Sequence, residues 1–189
     1  MRYAMTTNKG FSLIEVLVAL LLTTIGVLGM VALQGRSIQY TQDSVQRNTA
    51  IVLAGDLIEI IRANPKELFN MAPPQFPMNS GMKDTSLLYK KAGEDFNNRA
   101  ACVASPTRIA KTPQELRDCW ADRIEALLPG GTELFKDHVY ICRSSAPDNC
   151  DNKGSMIEVR MAWQVREGAC LDASDPDNTI CTYTVRVEP

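Results

Sequence analysis

From Val16 to Leu33 the chain carries no charged side chain, and this apolar run constrains what the rest can fold into. At about 1.5 Å of rise per residue, a helix of that length spans roughly 27 Å, close to the hydrocarbon thickness of a bilayer. A single segment in lipid must satisfy its own backbone, so a membrane-spanning helix is expected. An ordinary secretory signal has its apolar core ahead of the cleavage point and loses it on processing. Here the order is reversed. Residues 1–10 are polar, contain Arg2 and Lys9, and end in Gly10, and the apolar stretch follows immediately from Phe11. Within it stands Glu15, an acid where a mid-membrane charge costs about 2.5–3.5 kcal/mol.

The string Gly10-Phe11-Ser12-Leu13-Ile14-Glu15 resembles the cleavage and methylation site of type IV prepilins and their secretion-system relatives. The resemblance implies that residues 1–10 are a leader removed by a prepilin peptidase after Gly10, and that the new amino terminus at Phe11 is methylated. It also implies an assembly role for Glu15, pairing with the Phe11 amino terminus of a neighbouring subunit; the plainer alternative is that Glu15 snorkels to the headgroups. Glycine suits the cut because it offers no side chain and leaves its backbone accessible, and Arg2 and Lys9 would hold the leader inside. An uncleaved single-span anchor is the competing reading.

The continuation from Ile14 to Leu22, then Ile25-Gly26-Val27-Leu28-Gly29-Met30, and later Leu57-Ile58-Glu59-Ile60-Ile61-Arg62-Ala63-Asn64-Pro65, is similar to minor pilins of the PilV type. Major pilins of the family usually have a proline in the membrane helix, and this chain has none before Pro65. The resemblance implies a low-abundance, non-enzymatic pilus subunit that helps to start assembly and sits at or near the tip, supporting adhesion or twitching motility. Its implied partners are the prepilin peptidase, other minor and major pilins and the inner-membrane assembly platform. Its implied location is the inner membrane, with the amino terminus cytoplasmic and the head periplasmic, and then the assembled pilus. The alternatives are a minor pseudopilin of a type II secretion system and a tip module that binds a surface or DNA.

After Leu33 the residues stay compatible with a helix as far as Asn64, where Pro65 should stop it. One helix over residues 11–64 is therefore expected, membrane-spanning over 11–33 and amphipathic over 34–64. Ile38, Val45 and Val52 recur at sevens and are joined by Leu53, Leu57, Ile60 and Ile61 as the apolar face. Residues 65–189 form the head. Its first part reads as loop, with a short helix expected from Glu94 to Val103. Thr112-Pro113-Gln114-Glu115 is a helix start with cap, proline and capping-box glutamate. Leu116, Cys119, Trp120, Ile124, Leu127 and Leu128 supply its buried stripe, and Pro129-Gly130-Gly131 ends it. Beyond that the period becomes two, through Val139–Cys142, Ile157–Arg166 and Cys181–Val187. Three strands without intervening helices predict an antiparallel sheet. The expected class is α+β, a long amino-terminal helix laid on a carboxy-terminal sheet, the pilin-like fold that the resemblance implies.

Cys102, Cys119, Cys142, Cys150, Cys170 and Cys181 all follow the membrane segment. With no CxxC spacing and one histidine, His138, they read as disulfides in an oxidising compartment rather than as a zinc site. Local pairing is expected, 102 with 119, 142 with 150 and 170 with 181, because each pair brackets one local feature. The net charge of −2 and the lone Lys90-Lys91 pair, read as solvated surface, give no basic stripe for nucleic acid. No phosphate loop or nucleophile elbow is present, no cofactor is expected, and Trp120 reads as core. Asp172, Asp175, Asp177 and Asn178 lack the glycine and closing glutamate of a calcium loop.

Overall fold

The computed structural model describes residues 12–70, 81–102, 110, 112–167, 169–170 and 179–189. The chain divides into two compact units, Met1–Thr41 and Gln42–Pro189. Helix α1 covers Leu13–Ala63. In the first unit its described side chains are exposed throughout. Thr23 and Thr24, the polar residues in the middle of the apolar run, donate their hydroxyls to the carbonyls of Leu20 and Leu21 at 2.9 and 2.8 Å. Each thus hides its only donor against the helix that carries it, as a residue in lipid must.

The second unit holds the rest of α1, the helices α2 (Pro65–Leu68), α3 (Pro113–Leu127) and α4 (Gly131–His138), and strands β1 (Tyr140–Ser144), β2 (Met156–Gln164) and β3 (Ile180–Val187). The strands form one antiparallel sheet in the order β1-β2-β3, so the α+β class and its pilin-like arrangement hold. At the end of α1, Asn64 leaves helical geometry ahead of Pro65 and donates its side-chain amide to the Ile60 carbonyl at 2.8 Å. Pro65 redirects the chain as well as stopping it, because a proline suits the first position of the new helix α2.

The core lies where α1, α3 and the sheet meet. Ala50, Leu53, Ala54, Leu57 and Ile61 are the buried apolar residues of α1 among the described residues. This corrects the heptad expected to face the core, since Ile38, Val45 and Val52 are 58–59% exposed. The two alanines on the inner side allow close approach, and that line of small and branched residues wins over the spacing of sevens. Trp120 of α3 donates its indole N–H to the Leu53 carbonyl at 2.7 Å, and its ring packs with Phe96 and Phe135 at centroid distances of 6.4 Å. On β2, Ile157, Val159, Met161 and Trp163 are fully buried on the face shared with Cys181.

Helix α3 begins as expected, with Thr112 and Glu115 closing a reciprocal capping box. It also ends as expected, at Leu127 ahead of Pro129-Gly130-Gly131. The addition is a further helix: Gly130 turns the chain at φ +68° and Gly131 opens α4. A Cβ at Gly131 would lie 2.7 Å from the Ile124 carbonyl oxygen, so the corner between α3 and α4 has room only for glycine. No helix forms from Glu94 through the described part of the expected segment. Gly93 and Asn98 adopt left-handed backbone, and the N–H groups of Ala100 and Cys102 go to the carboxylates of Asp118 and Asp122 at 3.0 and 2.6 Å.

Two charged residues of the second unit, Glu158 and the Lys90 expected at the surface, are buried. Glu158 accepts from Tyr140 Oη at 2.8 Å, Ser144 Oγ at 2.9 Å and the Asp148 N–H at 3.1 Å. Lys90 is only 2% exposed. Its backbone pairs with Ile141 at the free edge of β1, and its Nζ donates to the carbonyls of Val139 and Lys136 at 2.7 and 2.9 Å while lying over the Phe135 ring.

Burial, with the carboxylates of Asp95 and Asp137 working against it, pulls the Lys90 pKa down to about 8. Burial likewise pushes Tyr89 and Tyr140 up to about 12. A depressed lysine favours the folded state at high pH and loses that contribution as pH falls towards 8. The raised tyrosines favour folding below their ordinary pKa and lose their contribution as pH climbs through 12. The melting temperature should therefore rise from pH 8 to about 10, reflecting on the order of 2 kcal/mol from Lys90, and fall beyond. Thermal melts of wild type and Lys90→Met across this range check it. An equal rise in the variant would assign the effect elsewhere.

Candidate functional site

Gly10 and Phe11, the expected processing residues, lie outside the described residues. Glu15 sits in the first turn of α1 with its N–H bonded to the Ser12 carbonyl at 3.0 Å. Its side chain is exposed, and among the described residues it has no cation partner. Around it Leu13, Leu17, Leu21 and Leu28 are all more than half exposed. A helix of 51 residues is long enough to cross a bilayer, and its apolar window buries no side chain within the protein. Such a surface needs lipid or other apolar helices around it.

In the second unit Val45 and Val52 of α1 are exposed. Beside them Leu127 of α3 is 54% exposed. Together with Asn48, Thr49, Leu53 and Arg123 these residues line a shallow groove of about 310 Å³, with the Arg123–Asp56 ion pair at 2.8 Å close by. The sevens pattern in the sequence thus marks an outward face.

Three disulfides fasten the head, joining Cys102 to Cys119, Cys142 to Cys150 and Cys170 to Cys181, the same pairs that local bracketing gives. Their Cα separations of 4.6, 5.5 and 5.5 Å lie in the ordinary range for such bridges. The first holds the segment before Cys102 against α3, where an acid ladder of Asp118, Asp122 and Glu125 receives it. Arg99 donates to both oxygens of Glu125 at 2.6 and 2.8 Å and to Asp122 at 2.6 Å. The Glu125 bonds hold its guanidinium firmly charged. Burial opposes ionisation of Asp122, but the bonds from Arg99 and the Cys102 N–H outweigh it and lower its pKa. Sequence reasoning missed this clamp, although acids spaced four and three apart on one helix face beside a lone arginine were its available signal.

Among the described residues no group of three or more metal-ligating side chains forms. His138 closes the last turn of α4. Asp172, Asp175, Asp177 and Asn178 lie outside the described residues.

No curated protein and no solved structure matches the chain. Two family comparisons do match. The prokaryotic N-terminal methylation motif covers residues 5–31, and the type IV pilin Tt1218 family, described as Tt1218-like, covers residues 32–111. The first spans the expected processing site and the apolar half of α1; the second spans the remainder of α1 and the part of the head that ends before α3. The chain is thus similar to that type IV pilin family over residues 32–111 and matches the N-terminal methylation motif over residues 5–31.

Proposed function

We propose that this chain is a minor subunit of a type IV pilus, of the PilV type, processed after Gly10, methylated at Phe11 and recruited through Glu15. The observation that carries the reading is the first half of α1, whose 18-residue apolar window buries no side chain within the described protein. A carboxylate stands at its entrance, followed by a separately folded, disulfide-fastened head. Such a subunit works by packing and display and needs no bond-making chemistry.

The role in starting assembly, a place near the tip, and support for adhesion or twitching motility rest on the likeness to PilV-type minor pilins. Two features favour a minor over a bulk subunit: the absence of proline before Pro65 in α1 and a head with three bridges. The amino terminus would face the cytoplasm and the head the periplasm, in keeping with Arg2 and Lys9 in the leader. Its partners would be the prepilin peptidase, the other pilins and the inner-membrane assembly platform.

Mass spectrometry of sheared pili tests this reading. The wild-type protein should be present at low abundance beside other pilins, beginning at methylated Phe11. Glu15→Gln removes the charge and keeps the shape, so this variant should be cleaved and inserted normally but depleted from pili about tenfold, which corresponds to about 1.4 kcal/mol of lost pairing. Wild-type levels of the variant in pili would instead favour snorkelling. Recovery of the protein only with a secretion apparatus would favour a pseudopilin.

A further inference from the structure

On the inner face of the sheet the Cys170–Cys181 bridge meets a buried acid. Cys181 is fully buried, and Asp43 of α1 is 2% exposed with its Oδ1 3.5 Å from the Cys181 sulfur. A bridged sulfur has no proton to donate, so this contact is not a hydrogen bond. Among the described residues the other oxygen, Oδ2, is buried without a hydrogen-bond partner, and no cation pairs with Asp43. A carboxylate buried in this way is costly, and an apolar residue of similar size would pack in its place. The neighbour that could use it is the thiol that Cys181 carries before the bridge closes.

We propose that Asp43 is the proton acceptor for closure of the Cys170–Cys181 disulfide, and that this bridge closes on the folded head with α1 already in place. Cys170, half-buried, is the sulfur that an external oxidant reaches first, whereas fully buried Cys181 must react from inside. A thiol in apolar surroundings holds its proton tightly, yet only the thiolate attacks. With a disulfide oxidant RSSR, Cys170 gives its proton to solvent and its thiolate attacks one sulfur, forming the mixed disulfide Cys170–S–SR and releasing RS⁻, which takes a proton back from solvent. Asp43 then takes the proton from Cys181. The Cys181 thiolate attacks Cys170 Sγ and expels the second RS⁻, which receives the proton from Asp43. Two protein thiols are oxidised to one disulfide and RSSR is reduced to two thiols.

The full chain in detergent, reduced and then reoxidised with glutathione disulfide, tests this. Samples are alkylated at intervals and mapped by peptide mass spectrometry. Asp43→Asn keeps size and shape and removes the base. It should accumulate the Cys170–glutathione mixed disulfide and close the third bridge about 10²-fold more slowly, the lower end of what a positioned base contributes. The bridges Cys102–Cys119 and Cys142–Cys150 should form at wild-type rates. Asp43→Glu should recover part of the rate. Once oxidised, Asp43→Asn should melt at or above the wild-type temperature, because an unpaired buried charge is gone, so slower closure could not be blamed on a weaker fold. Closure at the wild-type rate in Asp43→Asn, or equal slowing of all three bridges, would overturn the proposal.

Discussion

Trp120→Ala should destabilise the head by about 3–5 kcal/mol, the usual loss for removing a buried indole. The residue is 2% exposed and packs edge-on against Phe96 and Phe135. Its N–H bond to the Leu53 carbonyl is a buried polar tie between α3 and α1. Since domains of this size are stable by only about 5–15 kcal/mol, the melting temperature should drop by roughly 10 °C or more. Trp120→Phe separates the terms, keeping an aromatic ring and losing the hydrogen bond, and should cost less. Leu127→Ala on the same helix should change stability by no more than about 0.5 kcal/mol, because Leu127 is more than half exposed. Thermal unfolding of the oxidised variants compares all three, and a Leu127→Ala loss as large as that of Trp120→Ala would contradict the described packing.

The elements that could be read from the sequence are those whose signal is local. The capping box at Thr112 and Glu115 closes within one helical turn, and the alternation through β2 follows from the pleat alone. The bridges are legible for the same reason, each joining residues separated by 8–17 positions. What was not legible depends on distant partners. Lys90 is buried because β1 offers it a free edge and the Val139 and Lys136 carbonyls receive its ammonium. Glu158 is buried because Tyr140, Ser144 and Asp148 converge on it. No periodicity records such convergence. The α3–α4 corner was missed because two adjacent glycines look like a stop, and only the crowding of Gly131 against α3 shows that they make a tight junction.

The face of α1 shows how a correct pattern can receive the wrong assignment. Ile38, Val45 and Val52 do recur at sevens, and a seven-residue repeat is the period of helix-to-helix packing. The head buries instead the line through Ala50, Leu53, Ala54, Leu57 and Ile61. One helix carries two apolar lines, of which its own chain uses one. The candidate assembly residues rest on a different kind of signal: the order of polar leader, Gly10, Phe11, Glu15 and apolar run is a linear pattern, and the methylation motif matches over residues 5–31 without reference to any fold.

Under the proposed processing, Gly10→Val should abolish cleavage while leaving membrane insertion intact. The peptidase must bring its catalytic groups to the carbonyl at position 10, and a branched side chain there both fills the space beside the peptide and stiffens the backbone that has to be presented. Insertion depends on the apolar residues from Phe11 onward, which are unchanged. The variant should accumulate in the membrane as precursor, and amino-terminal sequencing should find Met1 in place of methylated Phe11. The loss should extend to Glu15. Without cleavage no charged amino group is created at Phe11, so a neighbouring subunit's Glu15 has nothing to pair with, and Gly10→Val should be missing from pili at least as severely as Glu15→Gln. Recovery of Gly10→Val protein beginning at Phe11 would show that the side chain at position 10 is not what the peptidase reads. A wild-type protein that began at Met1 in cells with active peptidase would make the segment a plain anchor.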